Sequence, residues 1–338
     1  MAQEKIPVLY NPISAIHNPP FEVFNGREDT ASEIPARYYQ ILDAVNKSGI
    51  ADVSEDTSVF LADIATVHSP EYLEYLNNSK SLNSEDSIFP SVHPYADYGH
   101  STSPVADRGR FCFDTYTPVM STTADVAIAS ASLAISGAKL LEAGENVVYT
   151  LNRPPGHHAT RTQMGGYCYL NNVAIAANFL ARGGSKVAVL DIDLHHGNGT
   201  QDIFYSRNDV FVANIHADPS IKFPHFTGYS EEIGRGVGLG FNKNYPLPAG
   251  TTDKDYSPVV NDALEKIAKF SPKYLLVSAG FDTHEEDPIG AFKLTTSFYG
   301  EIGRRIKSLN LPVLAVQEGG YATKILGDNV VSFLDGLK

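Results

Sequence analysis

Two aspartates and a histidine alternate along residues 191–195, where the sequence is DIDLH. In an extended chain, residues two apart point the same way, so Asp191, Asp193 and His195 are expected to share one face. Two carboxylates that close raise each other's pKa unless a cation neutralises them, and carboxylates with a neutral imidazole suit Zn²⁺. Asp282, flanked by Gly280, is the best candidate for a third ligand, which leaves the ion an open coordination position. An isolated Asp-x-Asp pair is otherwise typical of a solvated turn.

Groups that can move protons or stabilise an oxyanion occur in two other glycine-containing segments. An open zinc site lowers the pKa of a bound water from about 15.7 to about 7, but the reaction still needs a base and an acid. His157 and His158 follow a Pro-Pro-Gly turn and titrate near neutrality. Both reach one site only if the backbone turns at Gly156; the alternative is one ligand and one core histidine. Tyr321, after a Gly-Gly pair, offers an O–H to a tetrahedral intermediate, although Gly-Gly-Tyr alone is also typical of a plain turn.

Short apolar runs alternate with helical patterns through most of the chain. Buried strands are predicted at 147–149, 187–190, 210–212, 275–277 and 313–316. Helices are predicted at 123–142, 172–182, 255–269 and 298–308. This order predicts an α/β fold with an open parallel sheet and helices on both faces, in a single domain over residues 1–338. Residues 83–110 lack periodicity and contain several Pro and Ser, so a long surface loop is predicted there.

The residues that follow the predicted strands differ from those that precede them. Ligands bind beyond the carboxyl ends of the strands in open parallel sheets. Carboxylates, imidazoles and glycines follow all five predicted strands, in NRPPGHH at 152–158, DIDLHHGNG at 191–199, NIH at 214–216, SAGFD at 278–282 and QEGGY at 317–321. The leading ends carry ordinary residues, such as GSK at 184–186 and SPK at 271–273. This asymmetry predicts an active site at the carboxyl edge of the sheet.

The composition restricts the partners and the compartment. The net charge is −13, from 39 acidic and 26 basic residues, so nucleic acid is repelled and a cationic substrate is attracted. Acidity that serves only solubility is an equally good interpretation. Two cysteines in 338 residues fit a reducing cytoplasm better than a disulfide framework. No signal-peptide pattern and no apolar stretch of about 18 residues is found, so neither secretion nor a membrane span is expected.

Aromatic residues beside Gly or Pro are candidates for the walls of a substrate channel. Tyr167, next to Gly166, and Phe223, next to Pro224, would form an apolar sleeve around a methylene chain, although aromatic residues near glycine more often belong to the core. Cys168 is interpreted as a buried small hydrophobe rather than a nucleophile.

Several motifs closely resemble the histone deacetylase superfamily. They are RPPGHHA at 153–159, GGYCYLNN at 165–172, DIDLHHGNGT at 191–200, GFDTH at 280–284 and EGGY at 318–321, in the expected order. Within the superfamily, the chain resembles the bacterial acetylpolyamine amidohydrolases, and this resemblance includes FEVFNG at 21–26, HADP at 216–219 and FPHF at 223–226. It spans nearly the whole chain, more weakly before residue 120.

The resemblance implies a fold, a metal and an assembly. The fold is the arginase-deacetylase fold, with a parallel sheet of about eight strands. The metal is Zn²⁺ on Asp193, His195 and Asp282, with Fe²⁺ as an alternative native ion. A structural K⁺ is implied near Asp191, Asp193 and the backbone around His195. The insertion at 83–110 would form a homodimer interface that narrows the active-site mouth.

The resemblance also implies roles for the residues around the metal. His158 is the general base and then the general acid, with Asn198 behind it where some family members carry Asp. His157 is an electrostatic partner held by Asp191. Tyr321 polarises the acetyl carbonyl.

A third set of implied roles concerns the substrate. Tyr167, Gly166 and Phe223 would flank its chain, and Glu22 matches an acidic position that meets the distal ammonium. Tyr116 stands where the polyamine enzymes place an acidic residue, so the preference for long polyamines is less well supported than the reaction.

The expected reaction is zinc-dependent hydrolysis of the acetamide of N-acetylated polyamines or diamines, such as acetylputrescine, acetylcadaverine or acetylspermidine, to acetate and amine. A protein lysine deacetylase has the same chemistry and stays open as an alternative, although a narrow mouth favours a slim amine. An arginase-type ureohydrolase shares the fold but needs further Asp-x-His-x-Asp ligand sets, which the sequence lacks. The presence of both histidines and Tyr321 opposes a catalytically inactive acetyl-amine binding protein.

Overall fold

An eight-stranded sheet forms the centre of the protein in the computed structural model, which describes residues 5–90 and 104–338. The strands are β1 (Ile6–Tyr10), β2 (Glu22–Phe24), β3 (Arg27–Asp29), β4 (Ala51–Glu55), β5 (Ser87–Ile88), β6 (Val119–Met120), β7 (Val147–Thr150), β8 (Val187–Asp191), β9 (Val210–Ala217), β10 (Asn242–Leu247), β11 (Tyr274–Ala279) and β12 (Val313–Gln317). The sheet has the order β10-β9-β8-β11-β12-β7-β1-β4, and each pairing in it is parallel. The predicted α/β fold with a parallel sheet of this size is therefore confirmed.

The described residues form ten α-helices. They are α1 (Pro35–Ser48), α2 (Leu61–Ile64), α3 (Pro70–Asn78), α4 (Pro104–Arg110), α5 (Thr123–Glu142), α6 (Asn172–Ala181), α7 (Asn198–Phe204), α8 (Asp253–Phe270), α9 (Thr296–Lys307) and α10 (Thr323–Leu337). The helix predicted at 123–142 is confirmed at both ends, and those predicted at 172–182, 255–269 and 298–308 appear as α6, α8 and α9 with ends shifted by at most two residues.

The side chains of β8 alternate between two hydrophobic layers. Val187 and Val189 pack with residues of α5 and α6 on one face of the sheet. Ala188 and Leu190 pack with residues of α1, α8, α9 and α10 on the other face. Because both faces are covered, the strand is an uninterrupted apolar run until Asp191 at its end. This arrangement confirms the prediction of helices on both faces.

Three strands of the sheet were not predicted from the sequence. Two of them, β1 and β4, extend the sheet beyond β7, and β10 forms its opposite edge. The sequence of β10 is NKNYPL, which lacks an apolar run. Its asparagines are nevertheless buried, because the side-chain amides of Asn242 and Asn244 donate to the Oε1 atom of Gln201 at 2.8 Å each. The strand is thus held by polar contacts, and it lacks the apolar run by which a buried strand is predicted from a sequence.

Helix α5 is long and apolar enough to cross a membrane by length and composition alone. Of its apolar 18-residue window, 78% is buried inside the protein. Small residues allow this close packing: a Cβ at Gly137 would lie 2.6 Å from a methyl carbon of Leu314 on β12. The helix is thus packed against the sheet of this fold.

The segment predicted as a long loop, residues 83–110, contains regular structure at both flanks. Ser87–Ile88 pairs with Val119–Met120 as the antiparallel pair of β5 and β6, and Pro104–Arg110 forms α4. The expectation of a loop is wrong for these flanks, since a two-residue strand and a helix that begins at a proline are too short to produce a periodic pattern. Residues 91–103 lie outside the described part of the chain, and both the single-domain organisation and the dimer interface stay predictions.

Candidate active site

The carboxyl edge of the central sheet brings together residues from four strands. Asp191 ends β8, Asp282 follows β11 and Tyr321 follows β12, whereas His157 and His158 follow β7. These four strands are adjacent in the sheet, in the order β8-β11-β12-β7. Their ends therefore lie side by side, at the edge where the sequence predicts an active site.

The chain from Asp191 to His195 is bent, not extended. The backbone N–H of Asp193 donates to Asp191 Oδ1 at 3.1 Å, and that of His195 donates to Asp193 Oδ1 at 2.9 Å. Each bond joins residues two apart, which is typical of aspartates that initiate turns. The extended chain on which the expected common face depended is therefore not formed: Asp191 and Asp193 both contact His157, at 3.0 and 3.7 Å, and His195 meets Asp193 and Asp282.

Asp193, His195 and Asp282 form a buried group that can hold a metal ion. Their ligand atoms all lie within 4.8 Å of one another. His195 Nδ1 lies 2.9 Å from Asp282 Oδ2 and 3.4 Å from Asp193 Oδ1. Although burial opposes a charged ring, hydrogen bonds to Asp193 and Asp282 raise the pKa of His195 to about 9. A divalent ion would replace this proton, and two carboxylate oxygens with one imidazole nitrogen form a donor set that zinc accepts.

Two glycines leave room around the metal-binding group. A Cβ at Gly280 would lie 2.1 Å from Asp193 Oδ2, and one at Gly319 would lie 2.5 Å from the same oxygen. The backbone N–H of Gly319 donates to Asp193 Oδ2 at 2.8 Å. Side chains larger than hydrogen at these two positions would push Asp193 away from His195 and Asp282. The glycines of the two motifs are therefore required by close approach of the backbone to the site.

His157 and His158 both border the site, because the backbone turns at Gly156, whose carbonyl accepts the N–H of Ala159 at 3.0 Å. The centroids of the two imidazole rings are 4.1 Å apart. His157 Nδ1 lies 3.0 Å from Asp191 Oδ2, and His158 Nδ1 lies 2.7 Å from Asn198 Oδ1. The predicted turn is thus present, and each histidine has its own oxygen acceptor.

The two histidines differ in charge because their surroundings differ. Burial opposes protonation of His157, but Asp193 and Asp191 raise its pKa well above the usual range. Burial, together with the cationic His157 and His195, holds the pKa of His158 well below the usual range. A neutral His158 therefore lies beside a protonated His157. Such a separation of two neighbouring titratable groups is typical of an acid–base pair.

Tyr321 is supported from two sides by residues that sequence analysis did not identify. The Arg37 guanidinium lies 4.8 Å from the centroid of the Tyr321 ring, and its Nε donates to the carbonyl of Gly320 at 2.5 Å. On the other side, Asp287 Oδ2 accepts the backbone N–H groups of Tyr321 at 2.6 Å and Ala322 at 3.1 Å. Burial raises the pKa of Tyr321 well above its usual value, so the hydroxyl keeps its proton and stays a donor.

Arg37 in turn depends on a buried ionic network. Glu33 Oε1 accepts from Arg37 Nη1 at 2.8 Å and from Arg153 Nε at 2.6 Å, and the three side chains are almost fully buried. Arg153 also donates to the carbonyls of Ser14 and His17. Glu33 lies just before α1 and Arg37 lies in its first turn, four residues later, so this pair is the one part of the network that is local in sequence.

Aromatic rings surround the approach to the metal-binding group. The Phe223 ring lies 4.9 Å from His158, and Tyr116 lies 5.6 Å from Phe223 and 5.9 Å from Tyr167. The Tyr167 hydroxyl donates to Glu22 Oε1 at 3.2 Å, and burial raises the pKa of Glu22 above its usual value. We call Glu22, Tyr116, Tyr167 and Phe223 the mouth.

Gly166 determines how closely the mouth approaches the histidines. Its φ of +57° is left-handed, and a Cβ there would lie 2.2 Å from Cδ2 of His158. Tyr167 follows with a φ of +66°, an uncommon conformation for a residue with a side chain. These residues from the sequence motif thus form one wall beside the site.

A second group of potential ligands, His157, Cys168 and Glu318, is also buried. Glu318 Oε2 accepts the backbone N–H groups of Gly156 at 2.7 Å and His157 at 3.1 Å, so it supports the turn that carries the histidines. Burial raises the pKa of Cys168 well above its usual value. Its thiol therefore stays protonated, as the interpretation of a buried small hydrophobe requires.

A family model for the histone deacetylase domain matches residues 31–337. The chain belongs to the histone deacetylase family. The predicted resemblance is confirmed, and the family assigns the chain to the deacetylase hydrolases. Histone deacetylase domains also imply a metal cofactor, for which Asp193, His195 and Asp282 are the candidate ligands.

Curated members of the histone deacetylase family match nearly the full length of the chain. An acetylpolyamine amidohydrolase of Mycoplana ramosa is 39% identical, covering 98% of this chain and 99% of the relative. Acetylpolyamine amidohydrolase 2 of Pseudomonas aeruginosa is also 39% identical, covering 98% of each chain. Among solved structures, an acetylpolyamine aminohydrolase from Burkholderia pseudomallei superposes with a TM-score of 0.94 at 36% identity, again over 98% of both chains.

Proposed function

We propose that this chain is a zinc-dependent amidohydrolase that releases acetate from small N-acetylated polyamines or diamines. The observation that carries the proposal is the buried group of two carboxylates and one imidazole, with His157, His158 and Tyr321 at the same sheet edge. Acetylpolyamine amidohydrolases that match nearly the full length of the chain support this substrate class.

Asp193, His195 and Asp282 are proposed to hold one divalent ion. Zn²⁺ suits their oxygen and nitrogen donors, and Fe²⁺ is the alternative. When bound, the ion supplies Lewis-acid chemistry, since it acidifies a water and polarises a carbonyl oxygen. Asp191 is also proposed to lie beside a structural K⁺, as the resemblance to the histone deacetylase superfamily implies. A purified protein without K⁺ would contradict that assignment.

His158 is proposed to transfer protons. Because its Nδ1 faces the Asn198 oxygen, Nδ1 carries the hydrogen and Nε2 is free to accept a proton from the attacking water. The proton then passes from Nε2 to the nitrogen of the leaving amine. His157, paired with the Asp191 carboxylate, stays protonated and stabilises developing negative charge. Tyr321 donates its O–H to the acetyl oxygen as that oxygen gains charge.

The mouth is proposed to accept the chain and distal ammonium of the substrate. The rings of Tyr116, Tyr167 and Phe223 suit a methylene chain, and ring faces attract a cation. The Glu22 carboxyl beside Tyr167 adds a hydrogen-bond acceptor. The net charge of −13 favours the approach of a cation over that of a polyanion such as nucleic acid. Cytoplasmic placement is proposed because both cysteines are free.

A steady-state comparison with the metal-replete protein tests this function. We expect a higher kcat/KM for acetylputrescine, acetylcadaverine or acetylspermidine than for an acetyl-lysine peptide. A higher value for the peptide would identify a protein lysine deacetylase instead. A ureohydrolase is disfavoured, because the two groups of potential ligands in the described chain share no residue that bridges two metals.

The protein is also proposed to be a homodimer through residues 83–110. This proposal comes from the resemblance to the amidohydrolases, since residues 91–103 lie beyond the described ranges. Sedimentation velocity is expected to give the mass of two chains, about 73 kDa from a chain mass of 36.7 kDa. A mass of one chain would contradict the dimer.

A further inference from the structure

Asp114 is a buried carboxylate that lies behind the mouth. It precedes β6 in a short segment, residues 113–117, and is 6% exposed. The same segment contributes Tyr116 to the mouth, and the Phe113 ring stacks against Phe223 at 5.9 Å. A buried carboxylate at this position requires hydrogen-bond donors, since an unpaired one is strongly destabilising.

The donors to Asp114 come from both sides of the mouth. Its Oδ1 accepts the backbone N–H groups of Tyr116 at 3.1 Å and Thr117 at 3.0 Å. Its Oδ2 accepts the backbone N–H of Gly166 at 2.6 Å and the hydroxyl of Thr117 at 2.9 Å. One carboxylate therefore joins the segment that carries Tyr116 to the loop that carries Tyr167.

Thr117 extends this connection to Tyr167 itself. Its Oγ1 accepts the backbone N–H of Tyr167 at 3.1 Å while the same hydroxyl donates to Asp114. The hydroxyl is fully buried, so water does not replace either bond. Because Tyr167 holds an uncommon φ of +66°, the surrounding hydrogen bonds must maintain its conformation.

We propose that Asp114 is a positioning residue that sets the selectivity of the mouth by holding the contacting rings of Tyr116 and Tyr167 in fixed positions beside the substrate chain. This inference rests on the proposed function, because it assumes that a chain with a distal ammonium occupies the mouth. Asp114 acts through backbone N–H groups and the Thr117 hydroxyl, not through contact with the substrate. Its loss should weaken recognition of the chain and its ammonium more than recognition of the acetyl end.

Two metal-binding ligands separate these contributions. Acetohydroxamic acid has no chain, whereas 6-aminohexanehydroxamic acid has a chain and an ammonium. The ratio of their inhibition constants measures what the mouth contributes to binding. We expect Asp114→Asn and Thr117→Val to lower the preference for the aminoalkyl ligand by about tenfold, the effect of losing one hydrogen bond to a charged group. Thr117→Ser keeps the hydroxyl and should keep the preference.

Asp125→Asn is the matched control, because it removes one carboxylate from an exposed position on α5 that pairs with Lys80. It should leave the ratio unchanged. Equal weakening of both ligands by Asp114→Asn would show a structural role only and would overturn the proposal. If Asp114→Asn does not fold, the two Thr117 variants provide the test. The proposal is also overturned if Thr117→Val and Thr117→Ser give the same ratio of inhibition constants. A wild-type protein that hydrolyses no acetylated amine refutes the proposed function separately.

Discussion

Replacing Glu33 by glutamine should destabilise the protein far more than an equivalent change on the surface. Glu33 Oε1 accepts from both Arg37 and Arg153, and these three side chains are 1 to 2% exposed. Glu33→Gln keeps the shape of the side chain but removes its charge. Two buried guanidinium groups then lose their shared carboxylate. Removing one partner of a buried ion pair costs about 3–5 kcal/mol, because an uncompensated charge stays buried.

The expected change in the unfolding temperature follows from the size of the chain. With an unfolding entropy of about 2.1 cal/mol/K per residue, the 338 residues have an entropy of about 0.7 kcal/mol/K. A loss of about 3–5 kcal/mol therefore lowers the apparent Tm by about 4–7 °C. The assay is thermal unfolding of the metal-replete protein, followed by far-UV circular dichroism at one fixed scan rate.

Asp43→Asn provides a control of the same geometry. Asp43 and Lys47, both on α1, have the same four-residue spacing as Glu33 and Arg37, and their N–O distance is 2.7 Å against 2.8 Å. Their side chains are 58 and 74% exposed, so the pair contributes about 0–1 kcal/mol and its loss should lower the Tm by at most about 1.5 °C. Equal shifts for the two variants would refute the argument that burial sets the cost.

Three further predictions concern catalysis, metal binding and pH. Tyr321→Phe keeps the ring beside Arg37 and should lower kcat by about 10²–10³, with little change in Tm; an unchanged kcat would remove the oxyanion donor. Asp193→Asn should reduce the metal content from about one ion per chain to near zero by atomic emission, whereas Asp43→Asn keeps the metal; retention of metal in both would exclude Asp193 as a ligand. His68 is buried with a pKa lowered to about 4, and its Nε2 accepts the N–H of Asn171 at 2.9 Å. Its pKa is lower folded than unfolded, so the contribution of the neutral ring to stability is complete above about pH 6.5 and falls toward pH 4, by about 1.4 kcal/mol per pH unit. The free energy of unfolding of His68→Gln, measured with urea, should decline less steeply over this pH range than that of the wild type. Parallel plots of this free energy against pH would contradict the assignment.

Five strands and four helices from residue 123 onward could be predicted because they depend on local patterns, whereas α7, β10 and α10 were not predicted. Each of β7, β8, β9, β11 and β12 is an apolar run buried on both faces of the sheet, and α5 ends where Ala143 and Gly144 follow it. The position of the site was also predictable, because the carboxyl ends of parallel strands share one edge. By contrast, β10 contains buried asparagines in place of apolar residues, so its sequence has no strand signal.

The residues that support the site could not be predicted, because their roles depend on contacts between distant parts of the chain. Arg37 meets the carbonyl of Glu318 across 281 residues, and Glu33 meets Arg153 across 120. No spacing rule relates such positions in a single sequence, and a buried arginine is indistinguishable from an exposed one until the fold is known. Asp114, whose donors come from residues 116, 117 and 166, was missed for the same reason.

By itself, the sequence determined five of the eight strands of the sheet and which chemical groups stand at their ends, because apolar runs and glycine-rich turns are properties of neighbouring residues. Only the tertiary structure decided the direction in which those side chains point. Asp191 binds His157 and is not part of the group formed by Asp193, His195 and Asp282, since hydrogen bonds within the turn bend the chain. The direction of a side chain at a strand end depends on the backbone beyond the strand, and that backbone is shaped by what packs against it.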